Sequence, residues 1–221
     1  PQHTIIATLT LGLAIGVNTA IFSLMNQILF IYLPMEDPDE VYWVRHVNQE
    51  TQSDITPLSL PNFQDFRDQS RTFESLAALD QEGMILTGVD QPARITVGRV
   101  TADLMDVWRD QPTLGRGFVV GEDQPGGPKV AMITRSMWEN RFGADPDVLG
   151  KTIRLNDLAY TVGGVTSQRM ETGNLGRARV WIPAELSPSG EGREIRGAMI
   201  TGRLRPGVTL GEAQAEGARI G

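Results

Sequence analysis

The sequence predicts an α+β domain behind a single N-terminal transmembrane helix. Three observations carry that fold class. Residues 4–35 contain no Asp, Glu, Lys, Arg or His. Every Asp, Glu, Lys and Arg in the chain follows that run. Beyond it, strand-like and helix-like segments alternate without a regular βαβ repeat, which points to mixed or antiparallel sheets rather than a doubly wound parallel one.

The apolar run is the first element. About 20 mostly apolar residues in a helix cross a bilayer core, and a longer run accommodates by tilting or by resting its ends among headgroups. Residues 5–31 are therefore read as the span, within a segment 1–35 that includes its flanks. A signal peptide has a shorter apolar core, about 7 to 15 residues, and a small-residue cleavage site. Asn18-Thr19-Ala20 is a poor one. A buried core helix that is apolar all round is usually also shorter, about 10 to 14 residues. Within the run, Gly12, Gly16, Thr19, Ser23 and Asn26 recur at intervals of four and three, which puts them on one helix face. Small residues let helices approach closely in lipid, and Ser, Thr and Asn hydrogen-bond between them. The stripe is the expected helix-packing face.

Composition narrows the function classes. The chain has 221 residues, a formal net charge of -7 and no cysteine, with a pI near 4.9. No Lys/Arg cluster marks a nucleic-acid face. Disulfides, thiolate catalysis and Cys-ligated metals are excluded. The chain opens on Pro and closes inside a helical pattern, so it reads as a fragment of a longer protein. The basic residues that orient a first span by the positive-inside rule are expected upstream. The downstream flank, Glu36-Asp37-Pro38-Asp39-Glu40, is acidic.

After that flank, residues 41–47 (VYWVRHV) are β-branched and aromatic and read as a strand. Residues 48–57 read as a polar loop. Ser59 as cap and Pro61 in the first turn open a helix through NFQDFRDQ, with Phe63 and Phe66 on one buried face. Thr72 is expected to open a second short helix, TFESLAAL. Residues 84–87 and 93–100 form a hairpin about Gly88-Val89-Asp90-Gln91-Pro92. Thr101 is the expected cap of a helix ADLMDVW. Residues 111–128 read as a loop, 129–134 as a strand, and 136–142 as a helix closed by Gly143. A second hairpin, 152–156 and 159–165, turns at Asp157. Residues 179–182 read as a brief strand ended by Pro183, 191–194 as a charged loop and 195–204 as a long strand. Pro206-Gly207 turns the chain into an amphipathic helix capped by Thr209, with Leu210, Ala213 and Ala218 inward.

No catalytic constellation emerges. The chain has two histidines, His3 and His46, and no HExxH, no histidine-based triad motif and no GxSxG. Gly126-Gly127-Pro128-Lys129 fails the phosphate-loop pattern, and Pro128 lacks an amide that such a cradle uses. Gly115-Arg116-Gly117 follows no predicted strand and is no dinucleotide fingerprint. Carboxylate groups at Asp37/Asp39/Glu40, Asp65/Asp68 and Glu122/Asp123 lack EF-hand spacing and are expected on the solvated surface. Trp43, Trp108, Trp138 and Trp181 are expected in the core. The chain is therefore expected to hold no catalytic, cofactor-binding or metal-binding residue.

Several stretches, taken together and in order, resemble the MacB/FtsX-type ABC-transporter permeases. They are LGLAIGVNTAIFSLMNQILF in the span, LPMEDPDEVYWV after it, LPNFQDFRDQSRTFESLAAL, then TLGRGFVVGEDQPGGPKVAMITRSMWENRFGADPDVLGKTIRLNDLAYTVGGV, and LRPGVTLGEAQAE. The set is most similar to the orphan branch in which the permease unit is duplicated. Residues 30–33 depart from the pattern, where relatives often carry Arg before Leu-Pro. The resemblance implies a first membrane helix and then a periplasmic α+β domain in two parts. Residues 36–110 with 194–221 would form a porter-like subdomain, and residues 111–193 an inserted, mostly β, sabre-like one. It also implies an inner-membrane location, an ABC-type ATPase subunit that holds the ATP, and a second permease half or homodimer. A periplasmic partner and membrane lipid complete the implied surroundings; nucleic acid does not enter. The expected role is relay of cytoplasmic ATPase motion to the periplasmic domain, for export or release of a substrate. The alternative is a non-transporting FtsX-like transducer that regulates a periplasmic partner, and a membrane-anchored enzyme is a third reading that lacks any catalytic group.

Overall fold

The computed structural model describes residues 12, 15, 16, 19, 35–47, 55–56, 60–89, 91–172, 176–185 and 198–220. The chain divides into two units, residues 1–33 and 34–221. In the first, Gly12, Ile15, Gly16 and Thr19 are helical. The Thr19 hydroxyl donates to the Ile15 carbonyl at 2.8 Å. Most of the expected span lies outside the described residues, and among those described no helix is long and apolar enough to cross a membrane.

The second unit is a mixed α/β domain. In chain order its elements are β1 (Val41–Val44), β2 (His46–Val47), β3 (Ile55–Thr56), α1 (Leu60–Gln69), β4 (Phe73–Thr87), β5 (Ala93–Val100), α2 (Leu104–Trp108), β6 (Leu114–Gly115), β7 (Val130–Ile133), α3 (Arg135–Phe142), β8 (Thr152–Leu155), β9 (Leu158–Val165), β10 (Ala178–Pro183), β11 (Met199–Leu204) and α4 (Leu210–Ile220). Short 3-10 turns occupy Pro38–Glu40, Pro146–Val148 and Gln168–Glu171.

One sheet runs in the order β1-β11-β4-β5-β10-β7-β9-β6, with β8 bridging β4 and β9. That bridge closes a ring. Hydrogen bonding passes from β4 to β5, to β10, to β7, to β9, to β8 and back to β4 through Leu86↔Leu155 and Thr87↔Arg154. The result is a small six-stranded barrel. Its interior is apolar, and every strand of the ring contributes: Leu86, Val97, Val180, Ile182, Ala131, Ile133, Val162, Tyr160, Ile153 and Leu155. Closure removes edges that would otherwise expose unpaired amides and carbonyls.

At the other end, β1, β11 and the first half of β4 form an open sheet. Helices α1 and α4 cover one face, where Phe63, Phe66, Phe73, Leu76, Ile200 and Ala213 pack. The opposite face is covered by α2, with Trp108, Val107, Leu79 and Ala77 in a core that extends to Met132 and Trp181. Gly98 faces Trp181 on the neighbouring strand, and a Cβ there would run into the indole. The large ring is accommodated because the position opposite has no side chain.

Three sequence expectations are corrected. Residues 73–79 are the start of β4, not a helix: Thr72 precedes a 15-residue strand. The segment ESLAAL favours helix intrinsically, but Ala77, Ala78 and Leu79 are buried between β11 and β5, and tertiary pairing decides. Thr101 does not cap α2 with its side chain. Its hydroxyl accepts from the buried Ala78 amide at 3.1 Å. The inward face of α4 is also shifted, since Ala213 is buried while Leu210 and Ala218 are exposed, and Glu216, Gly217 and Ile220 complete the inner stripe.

Other expectations match the structure. The helix over residues 60–69 buries Phe63 and Phe66. Gly143 closes α3 with φ 63°. The β8–β9 turn holds Asn156 at φ 45° and Asp157 at φ 67°, the left-handed pair that a tight hairpin turn requires. Thr209 and Glu212 form a capping box: Glu212 Oε2 accepts from the Thr209 amide at 2.8 Å, and Thr209 Oγ1 accepts from the Glu212 amide at 3.4 Å.

Candidate functional site: an arginine clamp on the lead-in segment

Where the second unit begins, the chain is fastened to two distant elements by one side chain. Arg203 lies near the end of β11 with its side chain 1% exposed. Its Nε donates to the Val107 carbonyl at 2.9 Å. Its Nη1 donates to Glu40 Oε2 at 2.9 Å, and its Nη2 to the Glu36 carbonyl at 2.5 Å. The guanidinium fork suits this task because it presents several donors in a fixed plane. Val107 is in the last turn of α2, whose carbonyls have no intrahelical partner. Arg203 satisfies one, and the Glu36 amide donates to the next, Trp108, at 2.9 Å.

The lead-in segment is shaped to reach these partners. Met35 is buried beside Trp108 in the core. Asp37 takes a left-handed backbone, φ 48°, and turns the chain into the 3-10 turn that ends at β1. Arg109, just past α2, is also left-handed at φ 49°. It reaches across to Asp37 Oδ2 at 3.4 Å, Glu40 at 3.8 Å and Glu74 at 3.5 Å. Of the expected surface carboxylates, Asp37 and Glu40 are thus half in solvent and half in this charge cluster, while β4 contributes Glu74.

A cleft of about 640 Å³ adjoins the clamp and shares Arg109 and Glu74 with it. Its other charged walls are Arg67, Arg205, Asp103 and Asp106, so its charges balance. Burial raises the Asp103 carboxyl, against the pull of Arg67.

A second fastening sits on α4. Glu216 gathers the turn between α1 and β4. Its Oε2 accepts from Ser70 Oγ at 2.8 Å, the Thr72 amide at 3.0 Å and Thr72 Oγ1 at 2.5 Å, and its Oε1 accepts from the Arg71 amide at 3.0 Å. Partial burial pushes the carboxyl upward, but the Thr72, Ser70 and Arg71 hydrogen bonds outweigh it and hold the group at about 2. Arg205 adds a bond from its Nε to the Arg71 carbonyl at 2.9 Å.

The sequence-predicted stripe is placed in part. Gly12, Gly16 and Thr19 are helical and exposed, and a methyl group built on either glycine meets no atom within 4 Å. Ser23 and Asn26 lie outside the described residues. Glu122 and Asp123 are not on the solvated surface: they are 6% and 3% exposed. Glu122 pairs with Arg116 at 2.6 Å and accepts from the Val119 amide at 3.0 Å, and Asp123 accepts from the Ala102 amide at 3.2 Å. They fold the loop after β6 onto α2. Trp108 and Trp181 are fully buried, as expected, whereas Trp43 is 39% exposed on β1. Among the described residues no group of three or more His, Asp or Glu is arranged to hold a metal ion.

Arg203 escaped the sequence reading because its partners lie 96, 163 and 167 residues away. The only available signal was an arginine inside an otherwise apolar strand, ITGRL.

What the clamp offers is stiffness, since the first residues of the domain cannot move without β11 and α2. The fold has known counterparts. It is similar to the periplasmic region of MacB from Actinobacillus actinomycetemcomitans, at 16% identity and TM-score 0.64, over 85% of this chain and 86% of that one. It is similar to the extracellular domain of the noncanonic ABC-type transporter YknZ from Gram-positive bacteria, at 16% identity and TM-score 0.56, over 81% of this chain and 91% of that one. A domain of a putative permease protein from Porphyromonas gingivalis matches at 18% identity and TM-score 0.58, over 84% and 85%. No curated protein matches the chain. The MacB-like periplasmic core domain profile spans residues 4–220, and the chain belongs to that family.

Proposed function

We propose that this chain is the first membrane helix and outer domain of an ABC-transporter permease, which relays ATPase motion across the membrane for export or release of a substrate. The reading rests on family membership and on one observation: Arg203 ties the lead-in segment to both β11 and α2. A displacement arriving from the preceding helix would be passed to the sheet, not absorbed in a loose linker. In this reading residues 1–35 hold the span, with Gly12, Gly16, Thr19, Ser23 and Asn26 on its packing face. Residues 36–110 with 194–221 form the porter-like part and 111–193 the sabre-like insert, whose β8 and β10 pair with β4 and β5 of the first part. The domain is periplasmic and the membrane is the inner one. The chain itself does no covalent chemistry and binds no cofactor. ATP belongs to a partner ATPase, and a second permease half or a second copy completes the membrane part.

The test is purification of the full-length protein from its native membrane in mild detergent. The expected result is co-purification of an ATPase whose hydrolysis rate changes on assembly, with Arg203→Ala abolishing that change while assembly persists. Recovery without any ATPase, under conditions where a known complex of this class survives, overturns the reading. A reporter enzyme fused after Gly221 that proves cytoplasmic overturns the topology.

A further inference from the structure

A second cleft, of about 470 Å³, opens on the barrel away from the clamp. It lies between the start of β5, the outer face of α3 and the start of β10. Four arginines line it: Arg94, Arg141, Arg177 and Arg179. Ser136, Asn140 and Thr96 add polar groups.

We propose that this cleft binds a phosphate-bearing anion. The chain as a whole is acidic, at -7, and eight of its twenty Lys and Arg side chains, all eight outside the cleft, are answered by a carboxylate: Arg67, Arg99, Arg109, Arg116, Arg135, Lys129, Lys151 and Arg203 all form ion pairs. The cleft gathers arginines that stand outside those pairs. Arg94, Arg141 and Arg177 have no hydrogen-bond or ion-pair partner among the described residues. Arg179 has Glu171 at 3.9 Å and donates to Ser136 Oγ at 3.2 Å. Glu171 is itself committed, because its Oε1 accepts from the Ser136 amide at 2.9 Å. Glu139, on the same helix, is held by Arg135 at 2.9 Å. Among the described residues, one carboxylate therefore faces four guanidinium groups.

Gathering like charges without counter-charge is unfavourable, and an anion with more than one negative charge relieves it. Guanidinium forks match phosphate oxygens two at a time. The volume falls within the range of small-molecule sites, about 300 to 1,000 Å³, so the phosphate is expected on a larger body. Arg94 is able to lie over β4 because Gly83 is beneath it; a Cβ at that position would come within 3.1 Å of its Nε and Nη2. The inference stands on the barrel and is independent of the transport reading.

Calorimetric titration of the full-length protein in neutral detergent with inorganic pyrophosphate tests it. Binding is expected that weakens steeply with added salt. The double variant Arg141→Ala/Arg177→Ala is expected to lose about a hundredfold or more, from roughly tenfold per charge-assisted contact. Arg141→Lys/Arg177→Lys, which keeps the charge, is expected to retain part of the affinity, and Arg219→Ala on α4 all of it. Competition then assigns the source. Displacement of pyrophosphate by dihexanoyl phosphatidylglycerol below its micelle concentration identifies a lipid headgroup as the ligand class. Displacement only by glucose 6-phosphate identifies a soluble phosphate ester. No binding of pyrophosphate at millimolar concentration, or binding unchanged in the double alanine variant, overturns the proposal.

Discussion

The two ends of this domain are held together by different means. The barrel is closed by backbone pairing around a ring and filled by apolar side chains from all six strands. The open end has an edge strand, β1, and depends on helices laid over the sheet and on charged side chains that bridge separate segments, Arg203 at one corner and Glu216 at the other. A closed ring resists distortion because every strand has two neighbours. A sheet covered by helices can shift as its covers shift. The difference places the rigid part away from the lead-in segment and the adjustable part beside it.

Substitutions sharpen that contrast. The largest effect is expected from Arg203→Ala. It leaves the Val107 and Glu36 carbonyls without their side-chain donor, at about 1–3 kcal/mol each, and leaves the half-exposed Glu40 with Arg109 at 3.8 Å. Hydrogen exchange is expected to speed up in β1, β11 and α2 and to stay slow in β7–β9; uniform acceleration would show that the two ends unfold as one. Ile153→Ala, inside the barrel, is expected to cost about 2–5 kcal/mol, read as a lowered denaturant midpoint, with exchange accelerated first in β8 and at its seam with β4.

Glu216→Gln is expected to cost about 1–3 kcal/mol by weakening hydrogen bonds to a charged acceptor. The carboxyl sits at about 2 in the folded chain, below its ordinary 4.5. Its stabilisation is therefore complete above about pH 4.5 and drains away as pH falls towards 2. Acid titration of the melting temperature is expected to show that slope in the parent and a shallower one in the variant; equal slopes would remove Glu216 as its source. The smallest effect is expected from Arg135→Ala. It breaks an exposed pair with Glu139 on α3, worth about 0.5 kcal/mol or less, and leaves the melting temperature nearly unchanged.

Local features of the fold were legible in the sequence, and long-range ones were not. The α1 boundaries, the two hairpin turns, the Gly143 stop and the Thr209 cap depend on residues a few positions apart. The strand over residues 73–79 was misread because its alanines and leucine serve either helix or buried strand, and only β11 and β5 on its flanks decide. Glu122 looked like surface because the partner that neutralises it, Arg116, sits in a glycine-rich loop whose path no periodicity reveals. The stripe from Gly12 to Asn26 is a pattern in the sequence, of which the described residues show Gly12, Gly16 and Thr19 as helical and exposed. Ring closure depends on pairs such as Leu86↔Leu155, separated by a stretch that contains most of the barrel.

The double membership of β4 and β5 has a consequence for recombination between relatives. A chimaera that exchanged only residues 111–185 would import β7–β10 but keep the host's β4–β5 tip, so imported strands would have to match foreign edges at Leu86–Thr87 and at Thr96–Val100. The natural cassette is larger: it carries the β4–β5 tip along with the excursion that follows. Grafts cut inside the open end, where β4 runs beside β11, keep both sealing edges together. Grafts cut at the barrel wall split them, and leave strands with bare amides and carbonyls.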